Sequence, residues 1–212
     1  VAQPATQGVA SIHDALGAKE EHLESRLIYD DHRRSAFLDY ALQGMPSLQD
    51  VVRSTWGERR LWSQGTFRWE VSSSATAAGP LRVMMVREVA EGRIRKIVSA
   101  SPNRPGLECL YELEGLDVPV VGLEFNVALR DERYLSRADE QRQATQFLIT
   151  EPPLKVSLRM QIQPAATLFH FPIETVSESE GGLERTYQGL SVVCLWALEG
   201  SRSWTARVEW LV

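Results

Sequence analysis

The 212-residue chain carries a net charge of -5 and has a pI near 5.5, so it lacks the basic footprint of a nucleic-acid or anionic-membrane binder. Hydrophobic residues make up 43% and charged residues 24%, enough apolar material for a real core and too little charge for extended disorder. Cys109 and Cys194 form no C-x-x-C pair, which excludes a zinc ribbon or a disulfide-dense secreted scaffold; each lies in an apolar alternating run and reads as a reduced core thiol.

Residues 1–18 read as a linker, without signal-peptide or initiator features, as expected of a piece excised from a longer protein. Residues 19–212 then form a single domain with helical elements near 19–56. Leu16, Leu23 and Leu27, followed by Phe37, Tyr40 and Ala41, are spaced by threes and fours. That spacing predicts helix between His13 and Leu42, interrupted at Gly17 and in the charge-dense Tyr29–Arg34 stretch and stopped by Gly44 and Pro46. A short helix restarts after Ser47, because Ser47-x-x-Asp50 can cap the Leu48, Val51, Val52 face.

After Thr66 the period falls to two. Leu81–Ala90 and Arg93–Ala100 flank Glu91-Gly92, a two-residue hairpin signal. Leu107 to Leu113, Leu123 to Leu129, Val156 to Ile162 and Trp204 to Trp210 alternate apolar with polar residues, which predicts one buried and one solvated face. Leu190–Leu198 is apolar on both parities, as a central strand covered on both faces would be. Asp131–Gln146 reads as the one long polar loop, with a helical turn at Asp139–Ala144. About ten strands with short connections leave no room for crossover helices and predict an all-β, two-layer antiparallel sandwich. No apolar run approaches the ~20 residues of a membrane span.

Phosphate-loop, dinucleotide, zinc-protease and nucleophile-elbow motifs do not occur, and His13, His22, His32 and His170 share no metal-ligand spacing. The densest polar constellation runs from Phe169 to Glu184 and on to Tyr187-Gln188-Gly189. It holds Glu174, Glu178, Glu180 and Glu184, with His170 between two aromatics. Such carboxylates can serve as an acid/base pair or bind a cation or sugar hydroxyls. They can equally form a solvated acidic turn, with Gly181-Gly182 reversing the chain and Ser177 and Ser179 bonding the local backbone. Trp56, Trp62 and Trp69 have flat indole faces suited to a pyranose ring, though tryptophans in such a domain also serve as core.

The stretch Phe171-Pro-Ile-Glu-Thr-Val-Ser-Glu-Ser-Glu-Gly-Gly-Leu-Glu-Arg-Thr-Tyr-Gln-Gly189 closely resembles the C-terminal signature of glycoside hydrolase family 57 α-amylases and 4-α-glucanotransferases. Leu27–Asp39 is similar to the segment that opens that domain, and Leu123-Glu-Phe-Asn126 to one of its strands; Tyr40 stands where the family usually has histidine. The resemblance covers about residues 19–212. It implies a twisted, galactose-mutarotase-like supersandwich that follows a (β/α)7 barrel. That barrel would act on α-1,4-glucan with retention and hold both catalytic carboxylates. This domain would then have no catalytic residue, metal or cofactor of its own. It would pack on the barrel and wall the glucan cleft, with Glu174, Ser177, Glu178, Ser179, Glu180 and Gln188 as the contacts to barrel or maltooligosaccharide. Nucleic acid and membrane are not expected partners, and the cytoplasm is the expected location. A free-standing carbohydrate-binding module, a sugar epimerase using His170 with a signature glutamate, and a dimerising domain remain open alternatives.

Overall fold

The computed structural model describes residues 23, 27–30, 32–56, 59–73, 79–90, 92–115, 118–129, 137–152, 155–179, 182–199 and 203–211. The predicted linker and Leu16 lie outside the described residues, as do Glu91, Glu180 and Gly181, whereas residues 27–30 and 32–37, within the stretch read as helical, are irregular.

Among the described residues, eleven strands, one short α-helix and a 3-10 turn (Trp62–Gln64, between β2 and β3) follow in the order β1 (Leu38–Leu42), α1 (Leu48–Val52), β2 (Arg59–Leu61), β3 (Arg68–Ser73), β4 (Leu81–Val89), β5 (Gly92–Ser101), β6 (Arg104–Glu114), β7 (Val120–Val127), β8 (Asp139–Glu151), β9 (Val156–Ser179), β10 (Gly182–Ala197) and β11 (Ser203–Leu211). All pairings are antiparallel, in the spatial order β2-β1-β7-β10-β9-β11-β6-β5-β4-β3, with β8 also beside β9. The long β9 serves both halves: its residues 167–179 pair with β10 and its residues 159–163 with β11. Pro164, which has no N–H to give a ladder, stands where the two partners part. On either side of β9 the sheet turns back on itself. Phe125 on β7 and Trp210 on β11 are separated by two strands in the sheet order, yet their rings meet edge-on at 5.7 Å. Lys96 on β5 reaches Asp39 on β1 at 2.5 Å across the same gap. The architecture is therefore the predicted two-layer sandwich, made from one continuous sheet.

Between the layers lies the main core, with Phe125, Val192, Cys194 and Trp196 from one side and Cys109, Tyr111, Val208 and Trp210 from the other. A second core covers the outer face of the first layer, where Tyr40, Leu42, Val193, Leu195 and Phe171 meet Val51 and Trp56. β10 thus alternates between the two cores, as its double apolar parity predicted. The helix is held by the predicted capping box: Asp50 N–H donates to Ser47 Oγ at 3.2 Å and Ser47 N–H to Asp50 Oδ2 at 3.1 Å. The predicted hairpin between β4 and β5 forms with its turn one residue earlier than the Glu91-Gly92 signal placed it, so that Val89 pairs with Gly92 and Gly92 opens β5. Gly92 has φ +143°, and a Cβ there would lie 2.3 Å from the Glu114 carbonyl oxygen, so only glycine fits.

Two predicted elements differ. Residues Leu38–Leu42, read as the end of a helical pattern, form β1, which pairs with both β2 and β7 and is buried along its whole length. A strand covered on both faces carries no polar alternation, and the spacing of Phe37, Tyr40 and Ala41 coincided with a helical period. Of the segment Asp131–Gln146, read as a loop with a helical turn at Asp139–Ala144, residues 139–146 belong instead to β8 (Asp139–Glu151). Its register slips between Gln141 and Ala144 and again between Ala144 and Gln146, and these breaks hide the period-two pattern.

Candidate functional site

β1, β7 and β10 lie side by side and present Tyr40, Glu124 and Ser191 to the outer side of the first layer, where the segment before β1 crosses them. That segment delivers His32 and Arg34. Glu124, whose place in an alternating strand predicted a solvated side chain, is instead 0% exposed. Its Oε1 accepts from Arg34 Nη1 at 3.1 Å, Asn126 Nδ2 at 2.8 Å and Ser191 Oγ at 3.5 Å. Tyr40 Oη donates to Oε2. His32 Nε2 lies 3.0 Å from Tyr40 Oη and 3.5 Å from Glu124 Oε2. Because the one tyrosine proton goes to the carboxylate, the imidazole N–H is the donor toward Tyr40. Burial by itself pushes the Glu124 carboxyl up. The His32 hydrogen bond, the Arg34 charge and the bonds from Tyr40 and Asn126 together outweigh it, and bring the pKa from 4.5 to about 2. The group is a fixed anion at neutral pH.

Arg34 carries this network to the surface. Its Nε and Nη2 grip Asp30 as a fork, at 2.9 Å to Oδ2 and 2.6 Å to Oδ1, and its guanidinium sits 5.1 Å over the Phe171 ring. The Arg34 side chain is only 10% exposed. It forms part of the lining of a pocket of about 280 Å³, with Asp30, Arg53 and Glu174 as the other charged groups and Ile28, Val52, Ala138, Phe171, Pro172 and Ile173 as an apolar wall. Glu174 is itself paired, with Arg185 Nη1 at 2.6 Å from its Oε1.

Glu174 begins the stretch that the sequence singled out, and that stretch is a strand ribbon rather than an acidic turn. Beyond Gly189 β10 leaves β7, and residues 174–179 pair with residues 182–187. Gly189 has φ +154°, and a Cβ there would meet the Val127 carbonyl oxygen at 2.5 Å, so the departure of the ribbon from the sheet needs a glycine. The ribbon divides the predicted contact residues. Glu174 is half-buried beside Arg185, whereas Ser177 is exposed, and Gln188 is exposed with its Nε2 donating to Thr175 Oγ1 at 3.1 Å. Glu178 and Ser179 hold strand positions opposite Leu183 and Gly182, and Glu180 lies outside the described residues.

The three predicted platform tryptophans are dispersed. Trp56 and Trp62 are core residues at 6% and 4% exposure, Trp56 stacking on Tyr40 at 4.9 Å, and neither offers a face to a sugar. Trp69, on the outermost strand β3, is 70% exposed. His170 is buried against Phe147 with Asp139 Oδ2 at 3.9 Å, and burial holds its pKa below the ordinary value despite that carboxylate. It is therefore partnered away from Glu174. Among the described residues no group of three or more His, Cys, Asp or Glu side chains could hold a metal ion. Sequence reasoning missed the Asp30–Arg34–Glu124–Tyr40–His32 network as a site. The signal was present, since Leu27–Asp39 and Leu123–Asn126 were two of the three segments that carried the family resemblance.

A protein family described as "Alpha-amylase/4-alpha-glucanotransferase, C-terminal" matches residues 2–209. The chain is 25% identical over 198 residues to "Alpha-amylase 1" of Dictyoglomus thermophilum, covering 86% of this chain and 28% of the relative. It is 23% identical over 203 residues to "4-alpha-glucanotransferase" of Thermococcus litoralis, covering 95% of this chain and 30% of the relative. A crystal structure of 4-alpha-glucanotransferase from Thermococcus litoralis superposes with a TM-score of 0.66 at 20% identity, over 91% of this chain and 29% of that one. The chain thus spans less than a third of the length of the relatives it matches.

Proposed function

The chain belongs to the C-terminal domain family of alpha-amylases and 4-alpha-glucanotransferases, and from that premise we propose that it is the non-catalytic accessory domain of a retaining α-1,4-glucan-acting enzyme of glycoside hydrolase family 57. The observation that carries this is the match over nearly the whole chain to relatives more than three times as long. Residues 19–212 are the domain, and a catalytic barrel in the same polypeptide is its partner. The β9–β10 ribbon is the element that meets the barrel or the glucan, through Glu174, Ser177, Glu178, Ser179, Glu180 and Gln188.

The chemistry of the polar network supports an accessory role. A retaining enzyme needs one carboxyl as nucleophile and a second, protonated one as acid, about 5–5.5 Å apart across the bond. Glu124 is sealed from solvent and its carboxyl, at about 2, is ionised at neutral pH, so it cannot supply that proton. The exposed Trp69 favours a second reading, a free-standing carbohydrate-binding module. A cytoplasmic location fits the two unbridged thiols, and no helix among the described residues is long and apolar enough to cross a membrane.

Two measurements test the proposal. The coding frame upstream of Val1 is expected to continue into a barrel-encoding segment, and a stop codon immediately upstream would overturn the accessory reading. The chain alone, incubated with maltoheptaose, is expected to release no shorter or longer glucans, and turnover by it would do the same.

A further inference from the structure

We propose that the pocket between the 28–34 segment, the end of α1 and the root of the β9–β10 ribbon binds a single pyranose ring of a neutral α-glucan. The inference rests on the accessory-domain reading for the identity of the sugar, and on the pocket itself for its chemistry. The volume of about 280 Å³ falls just below the ~300–1,000 Å³ of sites for drug-sized ligands, so it suits one ring and not a helical segment of chain.

The lining selects a neutral polyhydroxylated ligand. Asp30 is already gripped twice by Arg34, and Glu174 is paired with Arg185. The charged lining holds two carboxylates, Asp30 and Glu174, and two guanidinium groups, Arg34 and Arg53, so a ligand of either charge meets repulsion as well as attraction. A hydroxyl carries no such penalty, and at Asp30 the two Arg34 bonds leave some of the carboxylate's about four acceptor sites to accept from sugar O–H groups. Arg53, exposed at the end of α1, adds donors on the opposite side. Val52 and Ile173, both half-buried, supply the apolar surface against which the C–H face of a pyranose lies. Preorganisation completes the case: Arg34 is nine-tenths buried and held by Glu124, so the polar floor is in place before a ligand arrives. Glu174 is both a pocket residue and the start of the ribbon. A ring seated here therefore directs the rest of its chain toward the ribbon's exposed residues.

Backbone amide shifts of the ¹⁵N-labelled chain during titration with maltotetraose test the pocket. Saturable shifts are expected at residues 28–34, 52–53 and 171–174, with a Kd on the order of 1 mM for so few ligand atoms. Ala138→Trp, which fills the pocket without touching an ion pair, should weaken binding at least tenfold, and Arg53→Ala several-fold. Trp69→Ala should leave the titration unchanged. Absence of saturable shifts into tens of millimolar would overturn the pocket and leave the family reading standing, since packing on a barrel needs no sugar. Shifts centred on Trp69, or tighter binding of glucuronate than of maltotetraose, would overturn it as well.

Discussion

Replacing Glu124 by glutamine tests whether the buried network stabilises the fold as an anion. The carboxyl drops from 4.5 in the ordinary state to about 2 in the folded one. A depressed carboxylate binds its proton more readily in the unfolded chain, so its contribution is complete above pH 5 and is lost as pH falls through the folded value. The difference, 4.5 - 2 = 2.5, amounts to roughly 3 kcal/mol at neutral pH. At pH 3, a further 4.5 - 3 = 1.5 below the ordinary value, about 2 kcal/mol of that has gone. Glu124→Gln keeps the shape and removes the titration, and the other carboxylates cancel when variant and parent are compared at each pH. Urea unfolding from pH 7 to pH 3 should therefore show the parent ahead by about 1 M in midpoint at neutral pH, for an m-value near 3 kcal/mol/M. The gap should shrink by more than half at pH 3, where the parent's own carboxyl begins to protonate. A gap that holds constant between pH 6 and pH 3 would refute the charged network.

The interlayer ion pair makes a second prediction. Lys96→Met leaves Asp39 buried and uncompensated and should cost about 3–5 kcal/mol, whereas Lys96→Met with Asp39→Leu should recover most of it; equal losses in the single and double variants, read by urea midpoints, would count against the pair. The thiols make a third. Burial pushes Cys109 up to about 12 and Cys194 higher still, so neither should react with a disulfide reagent at pH 8 until denaturant is added, when both should. Rapid labelling of the native chain would contradict the buried assignment.

What the sequence revealed depended on whether a residue's environment was set by near neighbours. The β4–β5 hairpin, the capping box at Ser47 and the double parity of β10 are local patterns, and each appears in the structure, the hairpin turn within one residue of its Glu91-Gly92 signal. β1 and β8 were misread because their environments come from distant strands. Asp39 in a buried strand is met by Lys96, fifty-seven positions on, across the core. β8 loses its alternation to two register slips imposed by β9. The candidate site divides the same way. Glu174 was legible from the signature, but Glu124 looked like a solvent-facing member of an alternating strand. Its burial is created by Arg34, Tyr40 and His32, which arrive from nearly a hundred residues away.

The Lys96–Asp39 pair and the Glu124 network are both buried ionic clusters, and their surroundings assign them different work. Lys96–Asp39 is closed between the layers, with the Phe67 and Tyr111 rings 4.6 Å and 5.9 Å from the ammonium. Joining a strand of each layer, its effect is to fix how the two layers register. Glu124 lies under the opposite surface, next to a second apolar core that could have extended over it. Replacing buried ion pairs with packed apolar residues is often neutral or stabilising, so stability alone does not account for a carboxylate, a tyrosine, a histidine and an asparagine converging there. Their common product is a guanidinium held at one position in the lining of a pocket, with a second carboxylate locked to it. Such preorganisation is what the proposed sugar pocket calls for at Asp30 and Arg34, and the titration with maltotetraose decides whether it serves that purpose.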